Sequence, residues 1–266
     1  MENENRIVLA TTTLATDKTT YEKVRADLAL KTIFEAKSHH FNIVTIDGGS
    51  SGVYIDRMIE LGADVVAQEE PGMGNARRQA LRLAREISDK HEAIVWLEPE
   101  KYTLVPFIAK VANKIMYHNN DMAMFKRRSL KSYPPEQEHT YKMVALAFKY
   151  LTSIESDFLF GPVALSREAV DYFLSYKSKY GDVWDSIHIP KLRIIHDQLP
   201  WTQVTVDYKH PQEQTKAEQG NMNLFVKRVE QIRVVTQALI DEVTDLREKD
   251  SKANQDTNRF NNFSNL

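Results

Sequence analysis

The 266-residue sequence predicts an α/β fold built on a mostly parallel central sheet with flanking helices. Two observations predict it. Three short apolar runs, at 41–46, 63–67 and 93–97, are each followed at once by polar, glycine-containing or acidic chemistry. Strands buried on both faces of a parallel sheet read as such uninterrupted runs, and ligands collect outside their carboxyl ends. Between the runs lie stretches of helical spacing, the alternation that crossover connections require.

Each element follows from its local residues. Residues 6–11 read as a first strand ending in Thr11-Thr12-Thr13, and Thr20 caps a helix to about 38 with Val24, Leu28, Ile33 and Phe34 near helical spacing. A strand at 41–47 leads to a helix at 53–61 stopped by Gly62, and a strand at 63–68 leads to a helix at 75–87. A strand at 93–98, a helix at 104–117 and a strand at 122–126 complete the regular part. The second part is less periodic. Residues 127–139 hold a basic cluster and Pro134-Pro135 and read as a loop, followed by a helix at 140–152. An aromatic turn at 156–162 precedes a helix from about 166. A helix at 185–198, despite Pro190, leads to a strand at 203–208, a polar loop at 209–221 and a long helix at 224–247. Residues 248–266, rich in Asn, Asp and Ser, read as a disordered polar tail.

Composition narrows the class. A net charge of −2 leaves no electrostatic footprint for general nucleic-acid binding. Cysteine is absent, which excludes disulfides and thiolate metal sites. No apolar run reaches the length of a membrane span, and residues 1–6 are polar, so the expectation is a soluble, cytoplasmic protein.

Chemistry gathers at the strand ends. Glu98-Pro99-Glu100 follows a buried run, and alternate residues of an extended segment share a side, so both carboxylates can face one hard cation, Mn²⁺ or Mg²⁺. The bland alternative is a solvated acidic turn with Lys101 as partner. Gly72-Met73-Gly74-Asn75-Ala76-Arg77 can present backbone N–H groups and a guanidinium to a phosphate, or be only a glycine turn before a basic helix. Asp47-Gly48-Gly49-Ser50 is either a tight turn or a carboxylate for a base or ribose. His210 follows an apolar strand, where a surface or hydrogen-bonded histidine is the commoner outcome. Trp184-Asp185 is either an anchored helix start or a carboxylate for an acceptor hydroxyl.

Taken together and in order, these motifs resemble those of the GT-A-type glycosyltransferases, most closely the family 2-like and glucosyl-phosphoglycerate synthase-like branches. The resemblance covers roughly residues 6–235 and includes Gly161 as the acceptor-loop glycine, Trp184-Asp185 through Pro190, and His210-Pro211-Gln212-Glu213-Gln214. It implies a GT-A-like nucleotide-diphospho-sugar transferase fold, with 1–126 as the nucleotide-sugar-binding half and 127–247 as the acceptor-side half of one compact unit. It also implies a UDP- or GDP-sugar donor held by Thr11, Thr12, Asp47, Gly72, Gly74 and Arg77. Glu98, Glu100 and His210 would hold Mn²⁺ or Mg²⁺ on the diphosphate, Gly161 and Trp184 would lie on the acceptor side, and Asp185 would serve as base in an inverting reaction or as a positioning residue in a retaining one. Two departures stand out: glutamates replace both aspartates of the family's metal motif, and proline sits between them.

Two rival readings accompany this one. A nucleotidyltransferase making a nucleotide sugar would carry a glycine-rich loop after its first strand, where Thr11-Thr12-Thr13-Leu14 stands. A binding protein with a decayed metal site is the non-enzymatic alternative. The apolar stripe Phe225, Val229, Ile232, Leu239, Val243, Leu246 faces either its own core, the preferred expectation, or a partner's helix, making Leu239, Val243 and Leu246 the expected homodimer contact.

Overall fold

A computed structural model describes residues 6–90 and 92–263, with side chains as far as Lys252. The described residues form a seven-stranded sheet in the order β3-β2-β1-β4-β6-β5-β7. The strands are β1 (Ile7–Thr13), β2 (Asn42–Asp47), β3 (Asp64–Ala67), β4 (Ala93–Trp96), β5 (Met122–Arg127), β6 (Val163–Leu165) and β7 (Trp201–Val206). All neighbouring pairs are parallel except those of β6, which runs against both β4 and β5. The expectation of an α/β fold on a mostly parallel central sheet holds.

Helices α1 (Thr20–Ser38), α2 (Gly52–Glu60), α3 (Met73–Ile87) and α4 (Ile108–Met116) alternate with the first strands. After β5 come α5 (Pro135–Thr152), α6 (Arg167–Ser175), α7 (Asp185–His196), α8 (Gln212–Glu218) and α9 (Met222–Phe263). One core layer packs Leu30, Ile33, Met58 and Ile108 on one face of the sheet, and a second packs Ala80, Leu81, Val170 and Phe173 on the other. Both faces are covered, which is why β1, β2 and β4 are almost wholly buried. Among the described residues no helix is long and apolar enough to cross a membrane.

The differences from expectation have local causes. β6 has three residues and lies between the expected turn at 156–162 and the helix from about 166, too short to show a period of its own. Helix α5 begins at Pro135, because proline at the first helical position lacks only an N–H that would be unbonded anyway. The polar segment after β7 holds α8, whose inner side chains Gln214 and Glu218 are buried polar groups rather than an apolar stripe. Helix α9 continues to Phe263 through most of the span expected to be a disordered tail, and 264–266 lie outside the described residues. The α9 stripe takes the preferred of its two expected roles from residue 239 on: Leu239, Val243 and Leu246 are buried against Phe148, Phe158 and Leu192 of the same chain and so are not a homodimer contact, while Phe225 and Val229 are exposed.

Candidate active site

The parallel register sets the carboxyl ends of β1, β2 and β3 side by side, with Thr13 opposite Asp47 and Asp47 opposite Ala67. On the other side of β1 the backbone of Leu97 donates to Ala10, so the turn after β4 lies along the same edge. Thr11 is buried and its Oγ1 has no hydrogen-bond partner, while Thr12 is partly exposed at the rim. Asp47 is also buried, and its carboxylate is fully engaged. One oxygen accepts from Thr13 Oγ1 at 3.1 Å and from Ser50 Oγ; the other accepts from the N–H of Gly49 at 3.0 Å and of Ser50 at 2.9 Å. This is the aspartate turn in which a short side chain substitutes for a backbone acceptor. Asp47 therefore builds the strand end, and the turn it holds lies at the carboxyl edge of the sheet.

Gly72 (φ 111°) and Gly74 stand at the start of α3, but an anion of the chain itself already sits there. A Cβ built on Gly74 would overlap the Asp182 carboxylate, which is ion-paired to Arg78. Arg77 reaches the same loop, donating to Val183 O and to Ser186 Oγ at 2.8 Å, with its guanidinium 5.6 Å from the Trp96 ring centre. Burial pulls its pKa down to about 10, with the charge of Glu98 the largest opposing influence. Glycine and arginine here lock α3 to the segment before α7.

The acidic turn divides its two carboxylates. Glu98 lies directly on Gly161: a Cβ there would collide with Glu98 Oε1, so a larger residue requires the glutamate side chain to swing aside. Glu98 Oε2 is buried without a hydrogen-bond partner. Glu100 points the other way, with both oxygens 3.3 Å from Arg25 Nη2 of α1. Burial opposes its ionisation, yet Arg25 and Lys101 outweigh that and hold its pKa at about 2. Lys101 is buried between the faces of Phe160 and Tyr208, its ammonium 5.2 and 5.5 Å from their ring centres. His210 is buried, stacked on Tyr133 at 4.2 Å and 3.3 Å from Glu218 Oε2. Burial pushes its pKa down, with Glu218 acting in the opposite sense.

The three residues expected to ligate a metal are thus not brought together. Among the described residues no group of three His, Asp or Glu side chains could hold an ion. Glu98 Oε2 and both ring nitrogens of His210 are buried without a hydrogen-bond partner, whereas both oxygens of Glu100 are held by Arg25. Hard divalent cations take about six oxygen or nitrogen ligands, and Glu100 is not free to supply one. A divalent metal fits this arrangement poorly.

Asp185, expected as a base, is fully buried at the start of α7, where it accepts from Tyr176 OH at 2.9 Å and Val183 N at 3.1 Å. Trp184 packs against the main core. Two buried cations carried no sequence signal. Arg127 is ion-paired to Asp157 at 2.6 Å and lies 3.8 Å from the Tyr141 ring centre and 4.4 Å from that of Phe160. Lys191 donates to Phe158 O at 2.8 Å and Phe160 O at 3.1 Å, fixing the loop that ends in Gly161, and burial pulls its pKa to about 7 against the field of Glu98. Neither is legible from spacing, because each belongs to a pattern that reads as a solvent-facing base.

No family model and no curated protein matches the chain. Solved structures do. Glucosyl-3-phosphoglycerate synthase from Mycobacterium tuberculosis, crystallised with Mn²⁺, uridine-diphosphate-glucose and phosphoglyceric acid, superposes with a TM-score of 0.62 at 16% identity, over 90% of this chain and 80% of that one. The same enzyme with Mn²⁺, uridine-diphosphate-glucose and glycerol 3-phosphate gives 0.61 at 16% identity, over the same shares. A further structure, described only as a mycobacterial protein, gives 0.61 at 15% identity over 90% of this chain and 75% of that one. The chain shares the fold of these proteins.

Proposed function

We propose that this chain is a glycosyltransferase that takes a sugar from a nucleotide-diphosphate donor and passes it to an acceptor hydroxyl. The observation that carries this reading is the row formed by Thr11, Thr12, the Asp47 turn and Glu98–Lys101 along the carboxyl edge of the sheet. The sheet it borders has the fold of a synthase crystallised with a nucleotide sugar. Open α/β sheets bind ligands at that edge.

In this reading the nucleoside lies over the ends of β1 and β2, where Thr11 Oγ1 is an unused buried hydroxyl. The diphosphate lies toward Lys101, whose charge favours its departure. Glu98, pressed against Gly161, turns its free oxygen to a sugar or acceptor hydroxyl. With Asp185 enclosed, no carboxylate base is assigned. The bond from the anomeric carbon to the phosphate oxygen breaks, the acceptor oxygen bonds to that carbon, and the acceptor proton leaves on the departing diphosphate. No step runs through a metal, because the acidic turn fits one poorly.

The test is incubation with UDP- and GDP-sugars, beginning with UDP-glucose and phosphoglyceric acid, while free nucleoside diphosphate is measured. Acceptor-stimulated release supports transfer. Consumption of pyrophosphate with formation of nucleoside triphosphate supports the nucleotidyltransferase reading. Tight binding without turnover supports a nucleotide-sugar-binding protein, the reading favoured by the capture of Glu100 by Arg25.

A further inference from the structure

Glu100 is the common neighbour of an unusual set of charges. Arg25 holds both its oxygens, and Lys101 and Lys227 lie within its field. Behind them Arg228 stands 3.8 Å from Glu218, which in turn meets His210. Among the described residues neither Glu98 nor Glu100 closes to an ion pair with Lys101, so its ammonium rests on ring faces and retains bonding capacity. Burial pulls Lys227 down to about 8, with Arg25 and Arg228 adding to the pull. Three carboxylates, Glu98, Glu100 and Glu218, face four cations from α1, the acidic turn and α9. A site built to hold a divalent metal has the reverse balance, an excess of carboxylate. Here an added dication would be repelled by Lys101 and Arg25, whereas an anion would be drawn in.

Resting on the donor-binding reading above, we infer that this chain binds the diphosphate of its nucleotide without a divalent metal, Lys101 and Arg25 supplying the positive charge and Lys227 and Arg228 reinforcing it. Glu100 then holds the Arg25 guanidinium in place until a diphosphate competes for it.

Calorimetry of the intact chain with UDP, GDP and UMP, in EDTA and in Mn²⁺, tests this directly. Nucleoside diphosphate affinity in EDTA is expected to lie within about twofold of that in Mn²⁺, and Lys101→Met is expected to weaken it about tenfold or more, the loss of one charge-assisted contact. UMP affinity should change less than about twofold in the same variant, since the nucleoside subsite is intact; a misfolded variant would lose both. Arg25→Gln, at a half-exposed position, provides a second variant that leaves the core undisturbed. Mn²⁺ titrated alone and followed by electron paramagnetic resonance should remain free. Nucleoside diphosphate affinity that rises tenfold or more (roughly 1.4 kcal/mol) with Mn²⁺, or a stoichiometric Mn²⁺ site, overturns the inference and leaves the transferase reading standing. Absence of nucleotide binding under every condition overturns the donor-binding reading and the inference with it.

Discussion

Two acidic turns leave the same edge of the sheet, and they satisfy their charge in opposite ways. Asp47 accepts four hydrogen bonds, all from residues within three positions of itself or from the neighbouring strand end. Glu98 and Glu100 draw almost nothing from their own turn. One is pressed on a glycine with an oxygen left over, and the other is held by an arginine 75 residues away. A carboxylate satisfied locally shapes the backbone. One satisfied by distant cations belongs to a charge network that a ligand can rearrange. The difference separates a residue that builds the crevice from residues that answer to what enters it.

If that contrast is right, the largest effect on folding comes from Asp47→Ala. It strips acceptors from the Thr13 and Ser50 hydroxyls and from two backbone N–H groups, and about 3 kcal/mol of stability should be lost. Urea unfolding measures it. An unchanged urea midpoint with weakened nucleotide binding would break the contrast, making Asp47 a ligand contact and not a turn builder.

Next comes Gly161→Ala. The added methyl meets Glu98 Oε1 and must displace it, with an overpacking cost of about 1–3 kcal/mol. The sharper form is a double-mutant cycle, since in a Glu98→Ala background the same change should cost less than about 1 kcal/mol. Equal costs in both backgrounds would mean that Glu98 is free to swing aside. Ser50→Ala ranks below it, at about 1 kcal/mol, because it removes the 2.7 Å bond from Ala15 N and one of the four donors to Asp47. Thermal unfolding at neutral pH gives the comparison.

The two turns also differ in how much of them the sequence reveals. The Asp47 turn is legible because its partners are its sequence neighbours, and glycine, glycine and serine after an aspartate already describe the bonds. The strands behind it are legible from local residues as well, since burial leaves a mainly apolar run at β4 and the apolar Ile43, Val44 and Ile46 in β2. The Glu98–Glu100 turn is legible only as a cluster of acids. What decides its chemistry is Arg25 on α1, Lys227 and Arg228 on α9, and the rings around Lys101, none of them near it in sequence except Lys101 itself. Asp185 shows the same limit from the other side. Its burial depends on Tyr176 and on the packing of α7, so a carboxylate that reads as a base is a helix-start acceptor. The three residues of β6 were hidden because a strand that short has no period to read.

The smallest expected effect, and the most specific, is that of Glu100→Gln. At neutral pH it removes an ion pair whose arginine side is 37% exposed, so solvent screening limits the loss to about 1 kcal/mol or less. Its pH dependence identifies it. The Glu100 pKa lies at about 2 in the folded chain against an ordinary value of 4.5, because Arg25 and Lys101 outweigh the burial that opposes its charge. A depressed folded pKa contributes stability that is fully present above 4.5 and lost as the pH falls from 4.5 toward about 2. Glutamine does not titrate, so parent and variant should differ most at pH 7 and converge through that window as the parent loses its advantage. Urea midpoints at a series of pH values between neutral and 2.5 follow the convergence. A constant gap across the window would mean that Glu100 is not held by these cations, and the contrast between the two turns would reduce to one of hydrogen-bond geometry alone.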